Sequence, residues 1–289
     1  MAPVEERAFA KVNLALHVTG QREDGYHLLD TLVTFAEAGD RLCLEPAEDD
    51  AFSLSGRFGP LLSESPPAEN LVIRARDGLR TLLEKAGHTA PPVHIHLEKN
   101  LPLASGIGGG SADAAACLRG LMRLWNMRPA RDDLDALALS LGADVPMCLV
   151  SRPLVARGIG EDIEEVTLPS LFMLLVNPLV PVSTPSIFRR LRDKNNSPLP
   201  LDRTALSRDP VRALAGMRND LQPPAEEIEP LVSAALAALA AQQADLVRMS
   251  GSGATCFGLF SGQARLLAAS EALRKARPDW FVEPTTTLG

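Results

Sequence analysis

A run of glycines followed by an alanine-rich stretch makes residues 101–116 the part of this chain best suited to binding an anion. Four of the five positions from 106 to 110 are glycine, which leaves the backbone free to adopt positive φ and bare of side chains. Ser111 and Asp113 then open a predicted helix. Because a helix N-terminus presents unpaired N–H groups and the positive end of the helix dipole, the pattern predicts a phosphate-binding loop.

Better-known glycine motifs do not fit this segment. A P-loop requires a Gly-Lys pair, which the chain lacks. A dinucleotide-binding fingerprint requires glycine at the position of Ser111, and a hydrolase nucleophile elbow centred on Ser111 requires glycine at the position of Asp113. The His-Arg-Asp and Asp-Phe-Gly signatures of protein kinases are absent. A flexible linker or hinge before an ordinary helix remains the alternative to phosphate binding.

Two charged residues, Lys11 and Asp144, lie in otherwise apolar segments. Burial of either charge is costly unless the charge is paired or faces a cavity. This pattern predicts that the two side chains meet or that both face one ligand site. A structural salt bridge, or a lysine whose ammonium group reaches solvent, remains the alternative.

Aromatic side chains suited to a nucleobase occur at Tyr26, which is the only tyrosine, and at the adjacent His27. An aromatic ring and a hydrogen-bonding imidazole favour recognition of a base by stacking and by contacts to its edge. Phe188 ends a proline-containing turn into a predicted helix and faces either a ligand or the core. The alternative for Tyr26 and His27 is a half-buried pair that anchors their own loop.

A second glycine-rich turn, residues 250–253 (Ser-Gly-Ser-Gly), lies between two predicted strands. Its N–H groups could approach a diphosphate or a sugar closely. A simple hairpin turn is the alternative.

Composition excludes several classes of protein. The chain has 289 residues, 46% of them hydrophobic and 22% charged, which is typical of a globular protein. The net charge of −7, without a cluster of lysine and arginine, argues against nucleic-acid binding. Four scattered cysteines, no recognisable export signal and no apolar run of about 18–20 residues lead us to expect a cytoplasmic protein without a membrane span.

Strands and helices are predicted in both halves of the chain without regular alternation, which favours an α+β fold. A strand over Ala8–Thr19 carries Lys11, and a strand over Val93–Leu97 leads into the glycine loop. Separate strands are predicted over Leu28–Ala36 and Asp40–Pro46, and a helix over Ile228–Gln242. A change in composition near residues 151–157 divides the chain into predicted domains 1–153 and 154–289.

Taken together, these motifs resemble those of the GHMP small-molecule kinases, along essentially the whole chain. The glycine loop marks the superfamily, and the other motifs resemble the branch that acts on a cytidine-diphosphate-linked methylerythritol. The segments that carry the resemblance are residues 8–14 (Ala-Phe-Ala-Lys-Val-Asn-Leu), 24–27 (Asp-Gly-Tyr-His), 108–115 (Gly-Gly-Gly-Ser-Ala-Asp-Ala-Ala), 141–146 (Leu-Gly-Ala-Asp-Val-Pro) and 249–254 (Met-Ser-Gly-Ser-Gly-Ala).

The resemblance implies an N-terminal ATP-binding domain (1–153), a C-terminal GHMP kinase domain (154–289) and an active site in the cleft between them. It implies transfer of the γ-phosphoryl group of ATP, with Mg²⁺, to the 2-hydroxyl of the cytidylyl substrate, in the non-mevalonate route to isoprenoid precursors. Asp144 is expected to be the general base and Lys11 its partner. Ser111 is a candidate Mg²⁺ ligand. The residues expected at the nucleotide are Pro102, Leu103, Ala104, Ser105, Gly106, Ile107, Gly108, Gly109, Gly110, Ser111 and Ala112. Those expected at the acceptor are Asn13, Tyr26, His27, Phe188, Gly251, Ser252 and Gly253.

The chain departs from the family pattern at three loop positions. Ser105 replaces a frequent glycine, Ile107 a usual leucine and Ala112 a common serine. All three replacements are small or conservative, so we expect them to change details of the ATP contacts and not the activity. A GHMP kinase with another alcohol substrate, such as mevalonate or homoserine, and a non-catalytic ligand-binding relative remain the competing interpretations. The expected partner is a small molecule rather than a nucleic acid or membrane, and the expected assembly is a monomer or homodimer.

Overall fold

The computed structural model of the chain describes residues 2–64, 66 and 69–289. The chain forms two compact units. Unit 1 consists of Met1–Ala10, Gly39–Leu103 and Gly108–Val150. Unit 2 consists of Lys11–Ala38, Ala104–Ile107 and Ser151–Gly289.

The predicted boundary at residue 153 is a single cut, whereas the two units interleave along the chain. Residues 11–38 and 104–107 belong to unit 2 although they precede that boundary. Lys11 and one part of the glycine loop therefore belong to the unit that also contains the C-terminal half.

The strands are β1 (Val4–Gln21), β2 (His27–Pro46), β3 (Ala51–Ser55), β4 (Val93–Glu98), β5 (Leu154–Gly158), β6 (Asp162–Glu165), β7 (Phe172–Asn177), β8 (Leu246–Met249), β9 (Cys256–Phe260) and β10 (Phe281–Thr286). The helices are α1 (Gly59–Ser63), α2 (Leu71–Lys85), α3 (Gly109–Leu124), α4 (Arg131–Leu141), α5 (Val145–Val150), α6 (Thr184–Arg190), α7 (Arg203–Arg208), α8 (Pro210–Ala215), α9 (Gln222–Ile228), α10 (Pro230–Ala241) and α11 (Gln263–Ala276). The mixture of helices and sheets confirms the predicted α+β class.

In unit 1, β4 pairs antiparallel with the C-terminal part of β2 and parallel with β3. Helix α3 packs against α2 and α5. Asn70 caps α2 by accepting a hydrogen bond from the Val72 N–H at 2.9 Å, as its residue type favours. Strand β4 leads directly towards the glycine loop, and α3 follows that loop, so these two elements position it.

In unit 2, four antiparallel strands in the order β10-β7-β9-β8 form one sheet. Helix α10 packs on β8 and β9, and α11 packs on β7 and β10. The core between them includes Val176, Leu239, Cys256 and Leu273, all buried. The N-terminal part of β2 pairs antiparallel with β5, and β5 pairs antiparallel with β6. The glycine turn at residues 250–253 connects β8 to β9, and the pairing of these two largely buried strands holds it in place.

One sequence-based strand prediction is wrong. The strands predicted over residues 28–36 and 40–46 are one strand, β2, because Gly39 is not a turn residue. A Cβ at Gly39 would lie 2.3 Å from the Ala8 carbonyl oxygen, so glycine there permits a close backbone approach. The helix predicted around residues 228–242 is confirmed as α10, which begins at Pro230, with Glu229 capping the Leu231 N–H.

Candidate active site

Strand β1 presents two buried polar side chains of unit 2, Lys11 and Asn13, at alternate positions. Residues two apart on a strand share a face, so both point to the same side. The Lys11 N–H donates a 2.9 Å hydrogen bond to the carbonyl oxygen of Ile107, in the glycine loop. The part of the loop that belongs to unit 2 is therefore bound to the strand that carries the predicted catalytic lysine.

The Ser250 hydroxyl joins this strand, the glycine loop and the second glycine turn. Its Oγ accepts a hydrogen bond from the Asn13 N–H at 3.0 Å and donates one to the Gly106 carbonyl oxygen at 3.0 Å. Ser250 is fully buried. The residues predicted at the acceptor include Gly251, Ser252 and Gly253 but not Ser250, because no local pattern distinguishes the Ser250 hydroxyl from that of Ser252.

Glycines permit the close packing of the loop against the turn. Gly106 has φ +77°, and a Cβ there would lie 2.7 Å from the carbonyl oxygens of both Ser250 and Gly253. Gly251 has φ +55°, and a Cβ there would lie 2.9 Å from the Gly106 oxygen. Side chains essentially never approach a backbone oxygen this closely, so the turn is a structural partner of the loop as well as a hairpin connection.

The Asn13 side chain is oriented by Thr31. Its Nδ2 donates to Thr31 Oγ1 at 2.8 Å, and that hydroxyl donates to the Ala15 carbonyl oxygen at 2.7 Å. Asn13 Oδ1 is buried and has no hydrogen-bond partner among the described residues. A buried acceptor of this kind is costly unless a ligand satisfies it, and a substrate hydroxyl could do so.

His27 and Phe188 are stacked, with ring centroids 4.6 Å apart and an interplanar angle of 25°. His27 Nε2 is buried and has no partner among the described residues, whereas Tyr26 is 62% exposed. Burial and, secondarily, the positive charge of Lys194 lower the pKa of His27. The imidazole is therefore held in its neutral form more strongly than a free histidine.

Helix α6, which carries Phe188, is connected to the glycine turn. The hydroxyls of Thr184 and Ser252 are hydrogen bonded at 2.7 Å. Unit 2 therefore links Ser252 to α6, the helix that carries Phe188.

In unit 1, α3 begins at Gly109, and the residue before it, Gly108, has φ +64°. The helix therefore begins two residues before the predicted start at Ser111. Gly108, in the left-handed conformation, ends the loop, and no side chain caps the helix. The first N–H groups of α3 lack intrahelical partners, which makes this end of the helix suited to phosphate oxygens.

Asp144 is half-buried and directly precedes α5. Gly142, two residues earlier, ends α4, and a Cβ at that glycine would lie 3.8 Å from Ser111 Oγ. Unit 1 thus brings Ser111 beside the loop that carries the predicted base. The meeting of Lys11 with Asp144 stays a prediction.

Comparison with known proteins decides the family. Residues 70–152 match the GHMP kinases N terminal domain, and residues 203–279 match the GHMP kinases C terminal domain. A 4-diphosphocytidyl-2-C-methyl-D-erythritol kinase from Rhizobium etli is 62% identical over 286 residues, which span 99% of this chain and 95% of the relative. The chain belongs to the GHMP kinase family.

Another relative and two solved structures of other proteins are also similar to this GHMP kinase. The enzyme of the same name from Agrobacterium fabrum is 58% identical, over 98% of this chain and 96% of the relative. A crystal structure of 4-(cytidine 5'-diphospho)-2C-methyl-D-erythritol kinase has a TM-score of 0.81 at 35% identity, over 99% of each chain. Homoserine kinase from Cytophaga hutchinsonii has a TM-score of 0.73 at 18% identity, over 100% of this chain and 95% of that one, and shows the fold alone.

The first matched region contains the Gly108–Gly110 loop, Ser111 and Asp144, so the predicted nucleotide loop and base of this GHMP kinase lie inside its N-terminal family domain. Among the residues that the structure describes, no helix has both the length and the apolar character needed to span a bilayer.

Proposed function

We propose that this GHMP kinase transfers the γ-phosphoryl group of ATP to the 2-hydroxyl of 4-diphosphocytidyl-2-C-methyl-D-erythritol. The products are the 2-phosphate and ADP, and the reaction belongs to the non-mevalonate route to isoprenoid precursors. The observation that carries the proposal is the 62% identity, over 99% of the chain, to the Rhizobium etli relative of that name. The stacked His27–Phe188 pair adds support, because aromatic rings of this kind suit a pyrimidine base.

We assign the proton transfer to Asp144. Its carboxylate would accept the proton of the 2-hydroxyl while the acceptor oxygen forms a bond to the γ-phosphorus. The bond between that phosphorus and the oxygen bridging to the β-phosphate breaks, and ADP leaves. Lys11 would orient the carboxylate and would offset negative charge on the transferring group. The burial of Lys11 at 4% exposure supports this role, because a buried ammonium group favours a nearby anion.

The glycine loop and the first turn of α3 would bind the triphosphate. Phosphoryl transfer requires positioning and charge neutralisation more than covalent help. Backbone N–H groups at a helix N-terminus supply both. This explains how a chain with a net charge of −7 can bind a highly anionic nucleotide without a basic surface.

Mg²⁺ would be bound chiefly by the nucleotide. Among the described residues, no group of three or more histidine, cysteine, aspartate or glutamate side chains could hold a metal ion. Mg²⁺ usually keeps several waters and binds through substrate phosphates and one or two protein groups, so a small donor set fits it. Ser111, at the start of α3, is the candidate protein ligand, and the ion would neutralise phosphate charge.

The acceptor would lie along unit 2. Tyr26, His27 and Phe188 would bind the cytosine base, and Asn13 Oδ1 is an acceptor for a substrate hydroxyl. The turn at Gly251–Gly253 would approach the substrate through its backbone. We place the reaction in the cytoplasm, where ATP is available and where the four unpaired cysteines of the protein stay reduced.

The test is ADP release by the purified protein with ATP, Mg²⁺ and the cytidylyl-methylerythritol as acceptor. Homoserine and mevalonate are the comparison acceptors. Turnover with either of them and not with the cytidylyl compound would assign a different substrate, and ATP binding without turnover would indicate a non-catalytic relative.

A substitution tests the base. We expect Asp144→Asn to lower turnover about a hundredfold to ten-thousandfold, the usual range for general acid–base catalysis. Asp133→Asn, at an exposed position in the first turn of α4, is the matched control and should keep full turnover. Near-normal turnover of Asp144→Asn would refute the assignment.

A further inference from the structure

A buried charge cluster in unit 1 has no part in the reaction proposed above. Lys99 Nζ donates to Asp40 Oδ2 at 2.5 Å and to Asp113 Oδ2 at 2.6 Å. None of the three residues is more than 2% exposed. Burying one ammonium and two carboxylates is expensive, and a buried ion cluster is weak evidence for a gain in stability. The cluster therefore calls for another explanation.

Its connections show what the cluster holds together. Asp40 Oδ1 accepts hydrogen bonds from the N–H groups of Asn100 at 2.5 Å and Leu101 at 2.8 Å, directly before the glycine loop. Asp113 lies in the first turns of α3, directly after the loop. Lys99 thus links the chain segment directly before the glycine loop to α3, the helix that follows it.

The cluster also contacts the helix start itself. A Cβ at Gly109 would lie 3.1 Å from Lys99 Nζ, so the ammonium group packs against the first residue of α3. Glycine at this position leaves room for the ammonium group without displacing it. The Lys99 ammonium group therefore lies close to the N-terminus of α3.

The cluster contains one ammonium group and two carboxyl groups, so its charges do not balance if all three are ionised. Burial raises the pKa of Asp113 and the neighbouring Asp40 raises it further, although Lys99 opposes both effects. Burial lowers the pKa of Lys99, but the two carboxylates outweigh it and the pKa is raised overall. Lys99 consequently stays charged, and removal of one carboxylate leaves a balanced pair. Loss of the Asp113 side chain should therefore be compatible with folding.

We propose that Lys99, with Asp40 and Asp113, is a positioning residue for the nucleotide. The cluster sets the distance between Leu101 and the start of α3, and so aims the N–H groups of the helix at the triphosphate. This inference rests on the proposed function for the identity of the ligand, ATP. It adds three residues whose side chains act through the loop rather than by touching the nucleotide.

The test measures ATP binding by isothermal titration calorimetry in the absence of acceptor. We expect Asp113→Ala to weaken ATP binding about ten- to a hundredfold, because small displacements of binding groups have effects of that size. Asp113→Asn, which can still accept a hydrogen bond from Lys99, should restore affinity to within about threefold. The KM for the acceptor should stay the same in both variants.

A matched control separates positioning from general destabilisation. Asp50, also in unit 1, binds Arg80 at 2.5 and 2.8 Å and accepts the Val93 N–H at 3.0 Å. Asp50→Ala removes an ion pair of the same unit that is more exposed than the Lys99 cluster, and it should lower the melting temperature without changing ATP affinity. Asp40→Asn, which retains an oxygen for the two N–H groups but loses the carboxylate facing Lys99, should weaken ATP binding as Asp113→Ala does.

Several results would overturn the inference. One is unchanged ATP affinity in Asp113→Ala and Asp40→Asn. Another is a loss of ATP affinity in Asp50→Ala as large as that in Asp113→Ala. A third is an ATP affinity in Asp113→Asn that is no higher than in Asp113→Ala. Failure of the proposed function has a different outcome, because the wild-type protein would then bind ATP but fail to phosphorylate the cytidylyl substrate.

Discussion

The contact of Gly106 with the 250–253 turn leads to a quantitative prediction for Gly106→Ala. The new methyl group would lie 2.7 Å from two carbonyl oxygens and 2.9 Å from the Gly253 nitrogen. All three are backbone atoms, so no side chain can rotate away to relieve the contact. The backbone conformation, at φ +77°, is itself unfavourable for alanine.

Two costs add in this variant. Placing alanine at positive φ costs about 1 kcal/mol. Forcing a methyl group into a closely packed site costs about 1–3 kcal/mol. The sum, about 2–4 kcal/mol, is a large fraction of the roughly 5–15 kcal/mol by which domains are stable. If the turn instead moves away, the hydrogen bond from the Ser250 hydroxyl to the Gly106 carbonyl oxygen breaks, and the loop moves away from β1.

Gly87 provides the control for this experiment. It has φ +80°, and a Cβ there would meet nothing within 4 Å. Gly87→Ala therefore carries the backbone cost alone, about 1 kcal/mol, and should keep full turnover. The difference between the two variants isolates the contact with the turn.

The assays are urea unfolding for stability and ADP release for turnover. We expect Gly106→Ala to be less stable than Gly87→Ala by about 1–3 kcal/mol and to lose about a hundredfold in turnover. Equal stability of the two variants together with normal turnover of Gly106→Ala would show that the loop and turn do not need their close approach.

Two further predictions concern the acceptor side of unit 2. We expect Lys194→Met to raise the pKa of His27 towards 6.5, because burial and the Lys194 charge together lower that pKa. The acidic limb of the pH profile of the acceptor KM should then move to higher pH. An NMR titration of the His27 ring checks this, with Lys275→Met as the control, and a pKa that stays or falls would contradict it. We expect Ser250→Ala to lower the free energy of unfolding by about 1–3 kcal/mol, because the buried Asn13 N–H loses its acceptor. Turnover should fall about tenfold or more. Ser270→Ala removes a buried hydroxyl with no partner among the described residues and should change neither urea stability nor turnover, so equal behaviour of the two serine variants would argue against the Ser250 role.

Local patterns were sufficient for much of the fold. The strand that carries Lys11 and the strand before the glycine loop each depend on neighbouring residues, and both are confirmed, as β1 and β4. Gly39 shows where local reasoning fails. A glycine between two apolar runs indicates a turn, yet its function is to admit the Ala8 carbonyl oxygen, which lies 31 positions away in sequence (39 minus 8).

The sequence by itself determined the α+β class, the kinase family and the types of residue able to bind phosphate or move a proton, because these depend on residue type and short spacing. Only the tertiary structure showed that Ser250 joins β1 to the loop, since Asn13 and Ser250 are separated by 237 positions. It likewise showed that Lys99 holds both ends of the loop, because a surface lysine and a buried one have the same local pattern. Burial and long-range hydrogen bonds arise only when distant segments pack together, and they decided which polar side chains support the site.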